Sequence, residues 1–168
     1  METPPLTPLA AAALRVGEPE RVLQIQCGDG DGVLFLAREF PRARVRGVDR
    51  SEQAIRRAGA RVGLDPEGRV AFKATGRGQL PFPEDLFDLV ALLDAAPPVA
   101  EIARVLRPGG FLVLAHSRRS DAPQGLRESL QRWRLSRRGI DLGEAVEAGD
   151  GSFSVGRLRG GDGPRGGD

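Results

Sequence analysis

The chain has 168 residues, with 25 basic and 23 acidic side chains, one histidine and one cysteine. This length suits one globular domain with its own core, and a formal charge of +2 does not by itself indicate a nucleic-acid or membrane partner. A single cysteine excludes an internal disulfide. One cysteine and one histidine are too few ligands for a zinc site of the usual kind. We therefore expect an intracellular protein without a metal.

The first residues differ from a secretory signal peptide. The first residues contain Glu2 and several prolines instead of the basic and long apolar regions of a signal peptide, and no stretch approaches the roughly 18 apolar residues that span a bilayer. We expect a cytoplasmic protein with no membrane partner. Residues 160–168 have no apolar anchor, so the sequence predicts one domain over 1–159 and a disordered, Gly-rich tail.

Short apolar runs alternate with longer amphipathic segments, which is typical of βα units with a parallel sheet covered on both faces. The predicted strands are 21–26, 43–49, 69–74, 87–94 and 110–117. The predicted helices are 32–40, 51–63, 99–107 and 123–138, the last with Leu126, Leu130 and Trp133 on one face. Two further strand-like runs, 140–148 and 152–159, flank an Asp-Gly turn, so we expect the sheet to end in an antiparallel hairpin.

The stretch VLQIQCGDGDG, residues 22–32, leads from the first predicted strand into alternating glycines and aspartates. Ligands of such sheets bind outside the carboxyl ends of the strands, and the three glycines allow a sharp turn and a close approach to a ligand. A dinucleotide fingerprint would require a glycine where Val33 stands, and the two aspartates would repel a pyrophosphate. A positively charged ligand without phosphate fits better, with Asp49 at the next strand end placed to accept both hydroxyls of a ribose.

Four stretches in chain order, VLQIQCGDGDG, GVDRSEQAI, LPFPEDLFDLV and EIARVLRPGGFLVLAHS, resemble the successive motifs of class I S-adenosylmethionine-dependent methyltransferases of the type 11 group. The resemblance covers residues 22–117. It implies an α/β fold with a Rossmann-like, doubly wound sheet of seven strands in the order 3-2-1-4-5-7-6, the last strand antiparallel, with helices on both faces. It also implies S-adenosylmethionine as cofactor and a methyl acceptor, which we expect to be a small molecule.

The resemblance implies that Gly28 and Gly30 pass under the methionine part of the cofactor and that Asp49 holds its ribose. The cofactor-binding residues predicted in this way are Gln24, Cys27, Gly28, Asp29, Gly30, Asp49, Arg50 and Leu80. For Asp49 the alternative is a cap of the next helix, a role that the following serine already suits. We expect Cys27 to be a small filler of the turn and not a nucleophile, because no neighbour in sequence would lower its pKa.

Two strand-end residues are candidates for the acceptor side of the site. Asp94 ends the fourth predicted strand and is placed to accept a hydrogen bond from the acceptor. His116 ends the fifth predicted strand and is the one side chain expected to titrate near neutral pH. The alternative is that His116 is a polar strand-end residue that bonds to nearby backbone.

The sequence departs from the usual family pattern at three positions and in one loop. Gln24 and Gln26 stand where an acidic residue and a glycine are usual, Gly76 stands where an acidic residue often contacts the adenine, and the loop DAAPPV is short. Asp29 or Asp31 would be the replacement for the missing charge near the cofactor's ammonium group. These departures favour a first alternative, a catalytically inactive methyltransferase-like domain that binds a partner protein.

A second alternative is an RNA-modifying methyltransferase. It rests on the arginines at 118, 119, 127, 132, 134, 137 and 138, around the last predicted helix. Because Asp121 and Glu128 are interspersed among them, a solvated helix face is the better interpretation, and we expect no nucleic-acid partner.

Overall fold

The computed structural model describes residues 6–118 and 125–160, and it contains one β-sheet with helices on both faces. The helices are α1 Thr7–Ala13, α2 Asp31–Glu39, α3 Glu52–Ala60, α4 Val99–Val105 and α5 Gly125–Arg137. The strands are β1 Arg21–Ile25, β2 Arg44–Asp49, β3 Val70–Ala74, β4 Phe87–Leu93, β5 Leu106–His116, β6 Ile140–Leu142, β7 Val146–Ala148 and β8 Gly151–Leu158. The tail predicted to be disordered lies, apart from Gly160, outside the described residues.

The strand order is β3-β2-β1-β4-β5-β8-β6, and β7 also pairs with β8. Strands β1 to β5 are parallel, whereas β8 is antiparallel to its neighbours. The predicted doubly wound α/β fold is confirmed, with β8 in the position expected for the seventh strand. The run 140–148 forms two short strands instead of one, because β6 pairs with the end of β8 and β7 with its beginning.

The central strands are continuous apolar runs because helices cover both faces of the sheet. On one face, α1 and α2 contribute Leu9 and Leu36 to the core, and on the other, α4 and α5 contribute Ile102 and Leu135. Helix α1 was not among the helices predicted from the sequence. Its proline-rich beginning is compatible with a helix because Pro8 lies in the first turn, where no intrahelical N–H bond is lost.

Helix α5 turns its predicted apolar face to solvent. Leu126, Leu130 and Trp133 are 89%, 47% and 56% exposed, whereas Leu135, on the opposite side of the helix, is fully buried. The Arg132 guanidinium anchors the helix further by donating to two main-chain carbonyls at the end of β6, at 2.9 and 2.8 Å. Within the described ranges, none of the helices has the length and apolar character that crossing a bilayer requires.

Candidate functional site

The carboxyl ends of β1 and β4 mark the point where the strand order reverses, since β2 lies on one side of β1 and β4 on the other. The helices that follow these two strands pack on opposite faces of the sheet. In doubly wound sheets this arrangement leaves a crevice between the two strand ends, where ligands bind. The structure brings Gly28, Asp49, Asp94 and His116 to this edge, each at or just after the end of its strand. These four sequence-predicted residues thus lie along one edge of the sheet.

The loop between β1 and α2 has a left-handed backbone at three positions, with φ of 54° at Gln26, 53° at Gly28 and 91° at Gly30. A Cβ added to Gly28 would meet no atom within 4 Å, so open space adjoins this residue. A Cβ added to Gly30 would lie 2.8 Å from Cζ of Phe72. Gly28 therefore borders the crevice, whereas Gly30 allows the loop to pack against β3.

Gln24 is buried in β1, with 3% of its surface exposed, and its Oε1 has no hydrogen-bond partner among the described residues. Its side chain lies against Gly32, where an added Cβ would be 2.5 Å from Oε1. Gly32, expected as a turn glycine, thus lies in the first turn of α2 and makes room for Gln24. A buried acceptor without a partner costs stability, which makes Gln24 a feature that the fold alone does not explain.

The Asp49 carboxylate ties the β1–α2 loop to the end of β2. Its Oδ2 accepts a hydrogen bond from Gly28 N and its Oδ1 accepts one from Ser51 N, both at 2.9 Å. Ser51 itself caps α3 by accepting a bond from Ala54 N at 3.1 Å. A carboxylate has about four acceptor positions, so Asp49 keeps acceptor capacity for two further donors, as a ribose with two adjacent hydroxyls would supply.

The two loop aspartates are paired with arginines of, or just after, α3. Asp29 forms an ion pair with Arg57 at 2.9 Å, and Asp31 forms one with Arg61 at 2.6 Å. These partners lie on the α3 side of the loop. Each carboxylate thus contacts an arginine through its Oδ1.

Cys27 is buried, and burial together with the nearby Asp49 charge raises the pKa of its thiol from 9.0 to about 12. Such a thiol stays protonated at neutral pH and is a poor nucleophile. The backbone of Cys27 donates to Val48 O at 3.0 Å, which continues the β1–β2 pairing by one residue. Arg50, beside Asp49, is exposed.

Leu80 is buried beneath a clamp that the sequence analysis missed. Its N–H donates to Oε2 of Glu101 at 2.5 Å, while Arg104 donates to the carbonyls of Leu80 and Phe82 at 3.0 and 2.7 Å. Arg104 and Glu101 form an ion pair at 2.9 Å. Glu101 and Arg104 are three residues apart on a predicted helix, and this spacing indicates that they could form an ion pair. It gives no indication that the pair holds the loop at Leu80.

The clamp predicts an acid-sensitive contribution to stability. The hydrogen bond from Arg104 holds the pKa of Glu101 below its usual 4.5. Because the folded-state pKa is lowered, the contribution is complete above about pH 4.5 and is lost as the pH falls further. We expect the wild-type protein to lose more stability between pH 7 and pH 3 than Glu101→Gln, as measured by urea unfolding. Equal losses would show that the carboxylate contributes nothing to the fold.

Asp94 joins the ends of β4 and β5. Its N–H donates to Ala115 O at 2.9 Å, and its Oδ1 accepts from Ser117 N at 2.8 Å, while its backbone has a φ of 53°. The second carboxylate oxygen, Oδ2, has no such bond in the described part of the chain. His116 follows on the neighbouring strand and is exposed. The two side chains are adjacent in register, without a hydrogen bond between them in the described residues.

Residues 22–110 match the family model described as a methyltransferase domain, and the chain belongs to this family. It is 32% identical over 143 residues to the 27-O-demethylrifamycin SV methyltransferase of Amycolatopsis mediterranei, covering 80% of this chain and 52% of that protein. It is 35% identical over 118 residues to the fatty-acid O-methyltransferase of Mycolicibacterium smegmatis, covering 64% and 41%. The chain thus spans about half or less of the length of these relatives.

Solved structures share the fold at lower identity. A SAM-dependent methyltransferase from Aquifex aeolicus superposes with a TM-score of 0.73 and 21% identity, over 90% of this chain and 89% of that one. The cyclase SpnF superposes with a TM-score of 0.71 and 20% identity, over 93% and 80%. One of these two structures is that of a cyclase, so the fold alone does not define the reaction.

Proposed function

We propose that this chain forms the S-adenosylmethionine-binding part of a methyltransferase for a small-molecule acceptor. The observation that carries the proposal is the open space at Gly28 beside a carboxylate, Asp49, that is already oriented by Gly28 N and Ser51 N. The named substrates of similar proteins, a rifamycin derivative and a fatty acid, support a small-molecule acceptor.

The residues of the crevice fit this cofactor. Gly28 would let the chain pass close under the methionine part, and Asp49 would accept the two ribose hydroxyls with its remaining acceptor positions. Arg50 and Leu80 would flank the adenosine part, with Leu80 fixed by the Glu101 clamp. Bound S-adenosylmethionine supplies a methyl group on a positively charged sulfur, which makes that methyl electrophilic.

The acceptor would lie above the ends of β4 and β5. Oδ2 of Asp94 is placed to accept a hydrogen bond from an acceptor hydroxyl or amine, because Oδ1 is already occupied by Ser117 N. Methyl transfer depends chiefly on positioning, and a base is needed only where the acceptor loses a proton. His116, exposed at the neighbouring strand end, would take that proton.

This role of His116 can be tested directly. A general base contributes about 10² to 10⁴-fold to rate, so we expect His116→Asn to lower turnover by about a hundredfold with a hydroxylated acceptor and to leave cofactor affinity unchanged. The measurement is release of S-adenosylhomocysteine with a panel of hydroxylated small molecules. Unchanged turnover in the variant would assign His116 to a structural role.

A non-catalytic binding domain is the second candidate, and the unpartnered Oε1 of Gln24 favours it. A hydrogen bond to a charged group contributes about 1.5 to 3 kcal/mol, so loss of an acidic side chain from this position would weaken cofactor binding roughly ten- to a hundredfold. The release assay separates the two candidates. No S-adenosylhomocysteine above the level of an Asp49→Ala control, with any acceptor, would argue against the enzyme.

A further inference from the structure

Gln26 is the most unusual backbone position at the site. Three non-glycine residues of the described chain have a positive φ: Gln26, Asp85 and Asp94. Aspartate adopts the left-handed region comparatively readily because its short polar side chain can bond to local backbone, whereas glutamine lacks this advantage. The conformation of Gln26 therefore costs folding free energy, and such positions concentrate at functional sites.

The register of the sheet places Gln26 between the carboxyl ends of β2 and β4. Ile25, the last residue of β1, pairs with Val48 on one side and with Leu92 on the other. The next residue, Gln26, therefore lies between the strand end that carries Asp49 and the strand end that leads to Asp94. It is exposed, and the described part of the chain offers its carboxamide no hydrogen bond. Within the described residues, no side-chain hydrogen bond of Gln26 offsets the cost of its backbone.

The other polar side chains of the loop have contacts within the protein. Gln24 is buried against Gly32, and the carboxylates of Asp29 and Asp31 are paired with arginines. The Gln26 carboxamide carries both a hydrogen-bond acceptor and two N–H donors. This pair of functions matches a zwitterion, which presents an ammonium donor and a carboxylate acceptor on neighbouring atoms.

We propose that the Gln26 carboxamide binds the amino-acid end of S-adenosylmethionine, in place of the acidic contact that Gln24 does not supply. This inference rests on the proposed function. It assigns to Gln26 a positioning role toward the cofactor that a glycine at the same place would lack. If Gln26 does not bind the cofactor, we expect the opposite effect on affinity, because replacement by glycine would relieve the backbone and open the crevice.

The test compares two ligands that differ in the amino-acid end. S-adenosylhomocysteine retains this end, whereas 5′-methylthioadenosine keeps the adenosine and lacks it. Affinities are measured by calorimetry and stability by urea unfolding, for the wild type and Gln26→Gly. Asp85→Gly is the matched control, because it relieves a positive φ at an exposed loop residue whose N–H bonds to Arg104 O, outside the crevice.

We expect Gln26→Gly to unfold at higher urea concentration, to bind S-adenosylhomocysteine roughly tenfold more weakly, and to bind 5′-methylthioadenosine within about twofold of wild type. Asp85→Gly should leave both affinities unchanged. Equal or tighter binding of S-adenosylhomocysteine by Gln26→Gly would overturn the inference, as would an equal loss for both ligands.

The same experiment separates this inference from the proposed function. Binding of S-adenosylhomocysteine by Gln26→Gly but not by the wild type would show that the crevice accepts the cofactor and that Gln26 blocks it, which overturns the inference alone. No binding of either ligand by either protein would overturn both.

Discussion

Replacement of Asp49 by alanine is expected to weaken S-adenosylmethionine binding by at least about a hundredfold. Two hydrogen bonds from ribose hydroxyls to a charged acceptor would be lost, and each contributes about 1.5 to 3 kcal/mol, where about 1.4 kcal/mol corresponds to a tenfold change in affinity. The substitution also frees Gly28 N and Ser51 N, which the carboxylate now holds at 2.9 Å. Calorimetry with the purified variant measures the change.

Ser51→Ala is the matched control for this experiment. It removes the hydroxyl that caps α3 and keeps the Asp49 carboxylate, so it should cost about 1 kcal/mol of stability and leave cofactor affinity within a few-fold. If Asp49→Ala and Ser51→Ala weaken binding equally, loosening of the strand end is the cause and Asp49 is not the ribose ligand.

Gly30→Ala is expected to lower the free energy of unfolding by about 2 to 5 kcal/mol. The left-handed backbone, at φ 91°, disfavours any side chain, at roughly 1 to 2 kcal/mol. The new methyl group would lie 2.8 Å from the Phe72 ring and 3.0 Å from the Ala58 Cβ, and such overpacking costs about 1 to 3 kcal/mol. Urea unfolding of the variant measures the loss.

Gly59→Ala introduces the same methyl group without these penalties. Gly59 lies in α3, and an added Cβ meets no atom within 4 Å, so alanine there should raise stability by about 0.5 to 1 kcal/mol. A loss below 1 kcal/mol in Gly30→Ala, or a comparable loss in Gly59→Ala, would contradict the packing described for this loop.

The sheet was largely predictable because its signals are local. Apolar runs define the buried strands β1, β4 and β5, and the Asp-Gly turn before β8 defines the hairpin. Helix α1 was not predicted; it has Pro8 in its first turn, which tolerates proline. The helical spacing in α5 correctly placed three apolar side chains on one face, but it did not show that this face is exposed. The opposite face packs on the sheet through the buried Leu135.

The site was predictable where it follows from strand ends, and not where it depends on contacts distant in sequence. Asp49 and Gly28 could be placed from the order of strands and turns. The clamp of Glu101 and Arg104 on Leu80 joins segments about 20 residues apart, which no local pattern reveals. The sequence shows that Gln26 stands where the family usually has a glycine. Its left-handed backbone, and the absence of a side-chain hydrogen bond within the described residues, could be seen only in the structure.

The central claim is that the crevice between β1 and β4 binds S-adenosylmethionine, and titration calorimetry of the wild-type chain with S-adenosylmethionine and S-adenosylhomocysteine tests it most directly. We expect one site per chain with a dissociation constant of about 1 to 100 micromolar, equivalent to roughly 5 to 8 kcal/mol. Absence of heat with either ligand up to millimolar concentration would contradict the account and leave a fold without its cofactor.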